Sequence, residues 1–416
     1  MLDATRIRLR ADVPVGAYVS GGLDSAITAA LARQLIGGSL HTFSIAFEDP
    51  ELDESRYQFA VARSLGTQHQ VINCSAGDIG TIFPEVVWHM ETPVLRTAPA
   101  PMYLLSRLVH DRGFKVVLTG EGADEFWGGY DIFKEAKIRA FWARQPESSF
   151  RPLLLKRLYP YLASVQRQPA AYLQAFFHTT SEEALDPLFS HMPRWELTHR
   201  SQQLFSDAVR GEANNRNYLS PVLGRLPAGF EGWSGFRRAQ YLEAAFLLPD
   251  YLLSSQGDRV AMAHSVEGRY PFLDYRLVEM SARVPSLLKM KVLIEKYLLK
   301  RAFKGQVPRE VFERPKQPYR APQAHSFFVP STGKPRTDYI AEMLSPRLIE
   351  EFGMFQAPLV QKLVERVKAA RSVSFLDDSA LVGVLSTQIL IDQFVHNFNE
   401  RLSNASNRTR PTTVCN

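Results

Sequence analysis

Two short stretches hold most of the side chains in this sequence that could do chemistry. The first is Ser20-Gly21-Gly22-Leu23-Asp24-Ser25. Two adjacent glycines let a backbone turn sharply and approach an anion closely. Where a helix begins directly after such a turn, its free N–H groups and the serine hydroxyls can hold phosphate oxygens. Asp24 adds a carboxylate where a magnesium ion bridging those oxygens would sit. A Gly-Gly turn with a Ser or Asp cap is also ordinary punctuation, but a cap alone explains neither both serines nor the place after a strand. The stretch is neither GxxxxGK[ST] nor GxGxxG. The second is Thr119-Gly120-Glu121-Gly122-Ala123-Asp124-Glu125, followed by Gly128-Gly129-Tyr130. Three carboxylates in one glycine-rich loop repel each other unless a cation compensates, and magnesium suits that role. An acidic surface turn would look similar, but the following glycine pair argues for close backbone approach to a ligand.

The elements around these stretches alternate. Residues 2–12 read as a charged helix that must stop before Pro14. Val15–Val19 is a β-prone run, and Asp24–Leu35 a helix with Ile27, Leu31 and Leu35 on one face. His41–Phe47 is a second strand, Glu54–Leu65 a helix closed by Gly66, and Gln70–Asn73 a third strand. Helical patterns cover Asp78–Met90 and Pro101–Arg112, and Lys115–Leu118 is a fourth strand. Strands separated by helices predict an α/β fold with a parallel, doubly wound sheet whose ligands sit at the carboxyl ends of the strands. The first glycine-rich stretch follows the first strand, and the second follows the fourth. Residues 136–400 are mostly helical in period, broken by Pro/Gly-rich segments at 220–235 and 315–322. The expected organisation is a nucleotide-binding core over 12–135, a mostly helical portion over 136–400 that completes the site, and a disordered polar tail over 401–416.

The 416 residues, 45% hydrophobic and 22% charged, suit a sizeable buried core and argue against general disorder. No apolar run approaches the ~18 residues of a membrane span, and the charged N-terminus lacks a secretory pattern, so the expected setting is cytoplasmic with no membrane partner. Two cysteines, Cys74 and Cys415, cannot build a disulfide framework, and ten histidines lack metal-ligand spacing. Asn404 and Asn407 match glycosylation sequons but are discounted without a secretory signal. The net charge of +6 comes without a long Lys/Arg run, which fits an anionic small-molecule site better than nucleic acid.

SGGLDS after a strand resembles the PP-loop of N-type ATP pyrophosphatases, and VPVGAYVSGGLDSA resembles the synthetase domain of glutamine-hydrolysing asparagine synthetases. TGEGADEFWGGY is a second match. Asp258-Arg259 through Glu267-Gly268-Arg269-Tyr270-Pro271-Phe272-Leu273-Asp274 is a third, and Arg314-Pro315-Lys316-Gln317-Pro318 a fourth. They run in family order over roughly 300 residues. The resemblance implies a PP-loop ATP pyrophosphatase fold with a large helical subdomain, ATP as substrate and Mg2+ as cofactor. It implies Val19, Ser20, Gly21, Gly22, Asp24 and Ser25 around the nucleotide, with Thr119 and Gly120 beside the adenosine and Ile45 contacting adenine through its backbone. Asp24 and Asp124 are implied as magnesium ligands or organisers.

Glu121 matches the family's candidate base for incoming ammonia, helped by Asp274. A shielded carboxylate can bind ammonium and accept its proton. Taken alone, Asp274 reads as the N-cap of the next helix. Lys316, which alone reads as a solvated lysine, is matched to a cation stabilising charge on phosphate and on the tetrahedral intermediate.

Only about a dozen residues precede the first strand and Leu2 follows Met1, so the family's N-terminal glutaminase is not expected within this chain, whether lost, supplied by another protein or cut away. Nitrogen is expected from free ammonia or from a separate glutaminase subunit. Ala26 stands where many members have a serine, RPKQP is looser than the family pattern, and residues 140–235 match poorly. These departures weaken aspartate as the acceptor more than they weaken adenylation. The reading is a ligase that adenylates a carboxylic acid, aspartate first, releases pyrophosphate and transfers ammonia; a homodimer is compatible with it. The alternatives are an amidotransferase or cyclase acting on a natural-product or peptide carboxylate, and an inactive nucleotide-binding subunit of a glutaminase complex. Against ring closure, β-lactam synthetases resemble a Tyr/Glu pair at the positions held here by Glu121 and Asp274.

Overall fold

The computed structural model describes residues 1–214, 217–370 and 373–399. The predicted tail, with Asn404, Asn407 and Cys415, lies outside them. In chain order the elements that matter most are α1 Leu2–Arg8, β1 Val15–Tyr18, α2 Leu23–Leu35, β2 His41–Phe47, α3 Ser55–Leu65, β3 Gln68–Cys74, α4 Ala76–Met90, α5 Pro99–Asp111, β4 Val116–Leu118, α6 Ala123–Trp127, α7 Asp131–Ala143 and β5 Glu267–Arg269. The strands form one sheet in the order β3-β2-β1-β4-β5, parallel throughout. The first helix is shorter than its charge pattern suggested, ending at Arg8. The third strand is longer than its apolar run. It pairs with β2 from His41↔Gln68 to Phe47↔Cys74.

The fifth strand was not expected. Glu267-Gly268-Arg269 has no apolar alternation, and it is a strand because it lies in register with Val116-Val117-Leu118. The ladder continues one residue further, since the Thr119 N–H donates to the Arg269 carbonyl at 3.0 Å. The third family-like stretch therefore holds the backbone from which the second one starts.

Two compact units make up the chain. The first comprises Met1–Cys74, Met102–Leu197 and Leu219–Arg320. Its main core joins Ala17 and Val19 of the first strand's line, Ile27 and Leu31 of α2, Leu118, Trp127 and Phe272. Burial of such apolar side chains, at ~25 cal/mol per Å² removed from water, is what seats α2 and α6 on the sheet. The second unit comprises Ser75–Pro101, Thr198–Tyr218 and the chain from Ala321 onward. There α4 begins at a capping box made by Ser75 and Asp78. The helix Phe375–Ile391 is buried along most of its length, and Ser386 Oγ lies 3.0 Å from both the N–H and the carbonyl of Val94. Among the described residues no helix is long and apolar enough to cross a membrane.

Candidate functional site

From β1 the sheet extends one way to β2 and β3 and the other way to β4 and β5. Strand order reverses between β1 and β4, and the connections leaving such a pair diverge and open a crevice at the carboxyl ends. Both glycine-rich stretches begin there. Val19 still follows the sheet, its N–H donating to the Phe43 carbonyl at 3.0 Å while its carbonyl accepts from Ser44 Oγ. The turn then closes on its hydroxyls. Ser20 Oγ and Ser25 Oγ are 3.0 Å apart, the Ser20 N–H donates to Ser25 Oγ at 3.1 Å, and the Gly22 N–H to Ser20 Oγ at 3.3 Å. Gly22 caps α2 without a side chain, so no cap acceptor satisfies the first-turn N–H groups.

The second stretch packs against the first. A Cβ on Gly120 would lie 2.9 Å from Asp24 Cβ and from the Ser25 nitrogen, so only glycine permits this approach. Gly129 is tighter still. A Cβ there would fall 1.8 Å from Asp124 Oδ1. These approaches bring two buried carboxylates, Asp24 and Asp124, to the same pair of lysines. Lys296 Nζ contacts Asp24 Oδ2 and lies 2.5 Å from Asp124 Oδ1. Lys316 Nζ lies 2.6 Å from Asp124 Oδ2 and 3.8 Å from Asp24 Oδ2. Burial pushes the Asp24 carboxyl up, against the pull of Lys296 and with a further push from Asp124. For Asp124 burial acts the same way, but Lys296 and Lys316 outweigh it and hold the carboxyl below its usual range. Lys316 is raised. Burial alone would lower it, and Asp124 and Asp24 reverse that.

Asp24 Oδ1 is buried and has no hydrogen-bond partner among the described residues. Leaving a carboxylate oxygen buried and unpaired is costly, and a hard cation is one group that would satisfy it. Two carboxylates are a usual protein share for magnesium, which takes its remaining ligands from phosphates and water. No cluster of three or more His, Cys, Asp and Glu suited to a metal occurs among the described residues. The donor set therefore fits a magnesium ion carried by a nucleotide rather than a cage made wholly of protein.

Glu121 and Glu125 flank these carboxylates. Glu121 is pushed up to about 7, first by burial and then by Asp124 and Asp24, with Lys316 opposing. No hydrogen bond to its carboxylate forms among the described residues. Glu125 is pushed up to about 8 by burial and by Asp124, and its Oε1 accepts from the Tyr130 hydroxyl at 2.6 Å. Glu121 is the more accessible of the two, since Glu125 is 1% exposed.

Lys316 projects from a segment, 315–323, that is neither helix nor strand. Arg314 anchors its start, donating to the Gly21 carbonyl at 3.1 Å, pairing with Glu54 and stacking on the Tyr57 ring at 4.2 Å. Lys296 was missed by sequence reasoning. It caps the helix Tyr297–Ala302 with a left-handed backbone, φ 50°. A cation at a helix N-terminus opposes the helix dipole, and that mismatch is the one signal the sequence offered.

Asp274 is not brought into this cluster. It caps the helix Tyr275–Arg283, accepting from the Arg276 N–H at 3.1 Å, and its oxygens take Arg8 at 3.0 Å and Arg276 at 2.9 and 3.0 Å. The Arg276 hydrogen bonds hold its carboxyl well below the usual range, with Arg8 adding to them. The charges that act most strongly on Glu121 are Lys316, Asp124, Asp24 and Lys296. The Ile45 carbonyl is occupied by Gln58 Nε2 at 2.8 Å.

The family model described as "Asparagine synthase" matches residues 1–391. Among similar proteins, "Amidase chyE" of Penicillium rubens is 30% identical over 88% of this chain and 57% of its own length. A "Putative asparagine synthetase [glutamine-hydrolyzing]" of Mycobacterium tuberculosis is 30% identical over 78% of this chain and 47% of its own. "Asparagine synthetase [glutamine-hydrolyzing] 1" of Bacillus subtilis is 28% identical over 78% and 49%. The chain thus spans about half the length of the curated relatives it matches. With the glycine-rich turns, the paired aspartates and a family match across nearly its whole length, this chain belongs to the asparagine synthase family.

Proposed function

We propose that this chain is an ATP-dependent, amide-forming ligase that activates a carboxylic acid as its acyl-adenylate and transfers ammonia to it. The observation that carries the reading is the meeting of Asp24, Asp124, Lys296 and Lys316 where strand order reverses, with Glu121 beside them. Asp24 and Asp124 would hold magnesium, which when bound neutralises phosphate charge and favours pyrophosphate as a leaving group. The serine hydroxyls and the α2 N-terminus receive phosphate oxygens. An acid oxygen attacks the α-phosphorus as the bond to pyrophosphate breaks. Lys316 and Lys296 remain as fixed cations against the charge that builds on the phosphoryl oxygens.

Ammonium must lose a proton before its nitrogen can attack the activated carbonyl. Glu121, held near 7, can accept that proton at neutral pH. Nitrogen then bonds to the carbonyl carbon, the bond from that carbon to the oxygen bridging it to phosphorus breaks, AMP leaves with that oxygen, and the nitrogen's second proton passes to solvent. Aspartate is the first acid to test, in keeping with the mycobacterial and Bacillus relatives. A natural-product acid is the second reading, favoured by the similarity to the Penicillium amidase across 88% of this chain. Purified chain with ATP, magnesium and a panel of acids should release AMP and pyrophosphate only with its own acid, and form amide only when ammonium is added. ADP as product, or no nucleotide cleavage with any acid, would overturn the reading.

A further inference from the structure

The loop that carries Lys316 has no backbone ladder to hold it, so side chains must fix its position. Arg314 ties its start to the first glycine-rich turn. Further on, Gln317 Nε2 and Arg320 Nη2 both donate to the Glu51 carbonyl, at 3.2 and 3.3 Å. Between these anchors the Lys316 N–H donates to Glu295 Oε1 at 3.3 Å. Glu295 is 6% exposed and far from idle. Its Oε1 also takes Lys300 Nζ at 3.0 Å, and its Oε2 takes Lys134 Nζ at 3.0 Å. Lys134 is on α7 and is held in turn by Asp131 at 3.0 Å. One carboxylate therefore spans two well-anchored helical cations and the backbone of the irregular loop. The residue after it is Lys296, the other cation on the paired aspartates.

We infer that Glu295 is a positioning residue for adenylation: by fixing the Lys316 backbone to α7 and to the helix Tyr297–Ala302, it sets the Lys316 ammonium against Asp124. The inference rests on the function proposed above but concerns a residue that does not touch the reacting groups. The physical reason is charge. Charge-assisted hydrogen bonds are about twice as strong as neutral ones, and an ionised carboxylate is the one side chain that satisfies two ammonium groups and an amide N–H together. Losing it leaves Lys300 and the Lys316 N–H unpaired, and Lys316 itself then lacks a backbone tie between the Arg314 and Gln317 anchors. Misplacing a reacting group by about 1 Å can cost on the order of 100-fold in rate.

The test is a double-mutant cycle on acid-dependent ATP–pyrophosphate exchange. Glu295→Ala should slow exchange by on the order of 10- to 100-fold, yet change it less than about twofold once Lys316→Ala is present, because the two act as one unit. Glu295→Gln, which keeps the volume and one acceptor oxygen, takes its place if the alanine variant does not fold. Equal factors in both backgrounds, or wild-type exchange in a folded Glu295 variant, would overturn the inference. A second readout needs no turnover. The rate at which an amine-reactive acylating reagent labels Lys316, followed by mass spectrometry, should rise several-fold in the Glu295 variant as its ammonium leaves Asp124, and an unchanged rate removes the assignment. If the wild type shows no exchange with any acid, the proposed function fails, and the labelling alone decides for Glu295.

Discussion

Glu121 and Asp274 are carboxylates at turns in the same unit, and they have been given opposite surroundings. Asp274 accepts four hydrogen bonds, three of them from arginines and one from a backbone N–H. Its negative charge is satisfied, and it stays ionised far below neutral pH. Glu121 has no such donors, is half-buried, and faces two other carboxylates, so its proton is held to about 7. The difference shows that hydrogen-bond supply and neighbouring charge, not residue type, decide which carboxylate can exchange a proton at neutral pH. A saturated carboxylate can only hold structure.

The largest effect expected on this contrast comes from Asp24. Replacing it with alanine removes a partner of both lysines and one half of the carboxylate pair, so Asp24→Ala should reduce both pyrophosphate exchange and amide formation by on the order of 1000-fold or more. Retention of either reaction would detach adenylation from the paired aspartates. Glu121→Ala should split the two reactions. Amide formation should fall by on the order of 100-fold, the usual scale for a lost general base, with exchange nearly unchanged. Equal losses would instead make Glu121 a shaper of the phosphate loop.

The next expectation is a pH dependence. Glu121 is raised to about 7, so below that pH it is protonated and cannot accept a proton from ammonium. With ammonium held constant, wild-type amide formation should rise as pH increases through about 7 and then level off. Glu121→Gln should lack that rise. Persistence of the same limb in the glutamine variant would assign it to another group, Glu125 with its value of about 8 being the next to examine.

How much of this could be read from the amino acids depends on how far each contact reaches along the chain. Strands β1 to β4 carry apolar runs that mark themselves, and the turns after β1 and β4 are dense in glycine and carboxylates. The parallel fold and the two carboxylate-bearing turns of Asp24 and Asp124 were therefore legible, whereas Lys316 alone reads as a solvated lysine and entered only through the family resemblance. Which strands neighbour each other was not legible, because pairing is a tertiary choice. β5 was hidden for the same reason. Its Glu-Gly-Arg composition predicts a turn, and only its register on β4 makes it a strand. Lys296 was missed because a lysine between Glu295 and Tyr297 looks like a solvated charge until the chain brings it 272 residues back to Asp24. Asp274 illustrates the opposite case. Its local cap role was readable from position alone, whereas Arg8, 266 residues away, completes its charge balance.

The smallest effect, and the one that presses the comparison hardest, concerns Asp274. If its carboxylate is structural, Asp274→Ala should lower stability by about 1 kcal/mol, the usual cost of a lost helix cap, and leave both half-reactions within about twofold of wild type. The sign with pH follows from the direction of its shift. A carboxyl held below its unfolded value of about 3.9 stabilises the fold fully above that value, and the stabilisation disappears as pH falls through the lower folded value. The gap in melting temperature between wild type and Asp274→Ala should therefore be full at pH 7 and narrow as the medium is taken below pH 4, measured on protein that remains folded. A variant with an unchanged melting temperature and a selective loss of amide formation would contradict this. It would put Asp274 in partnership with Glu121, as the resemblance implies, and would mean that the arginines on Asp274 release it when the acid and nucleotide are bound.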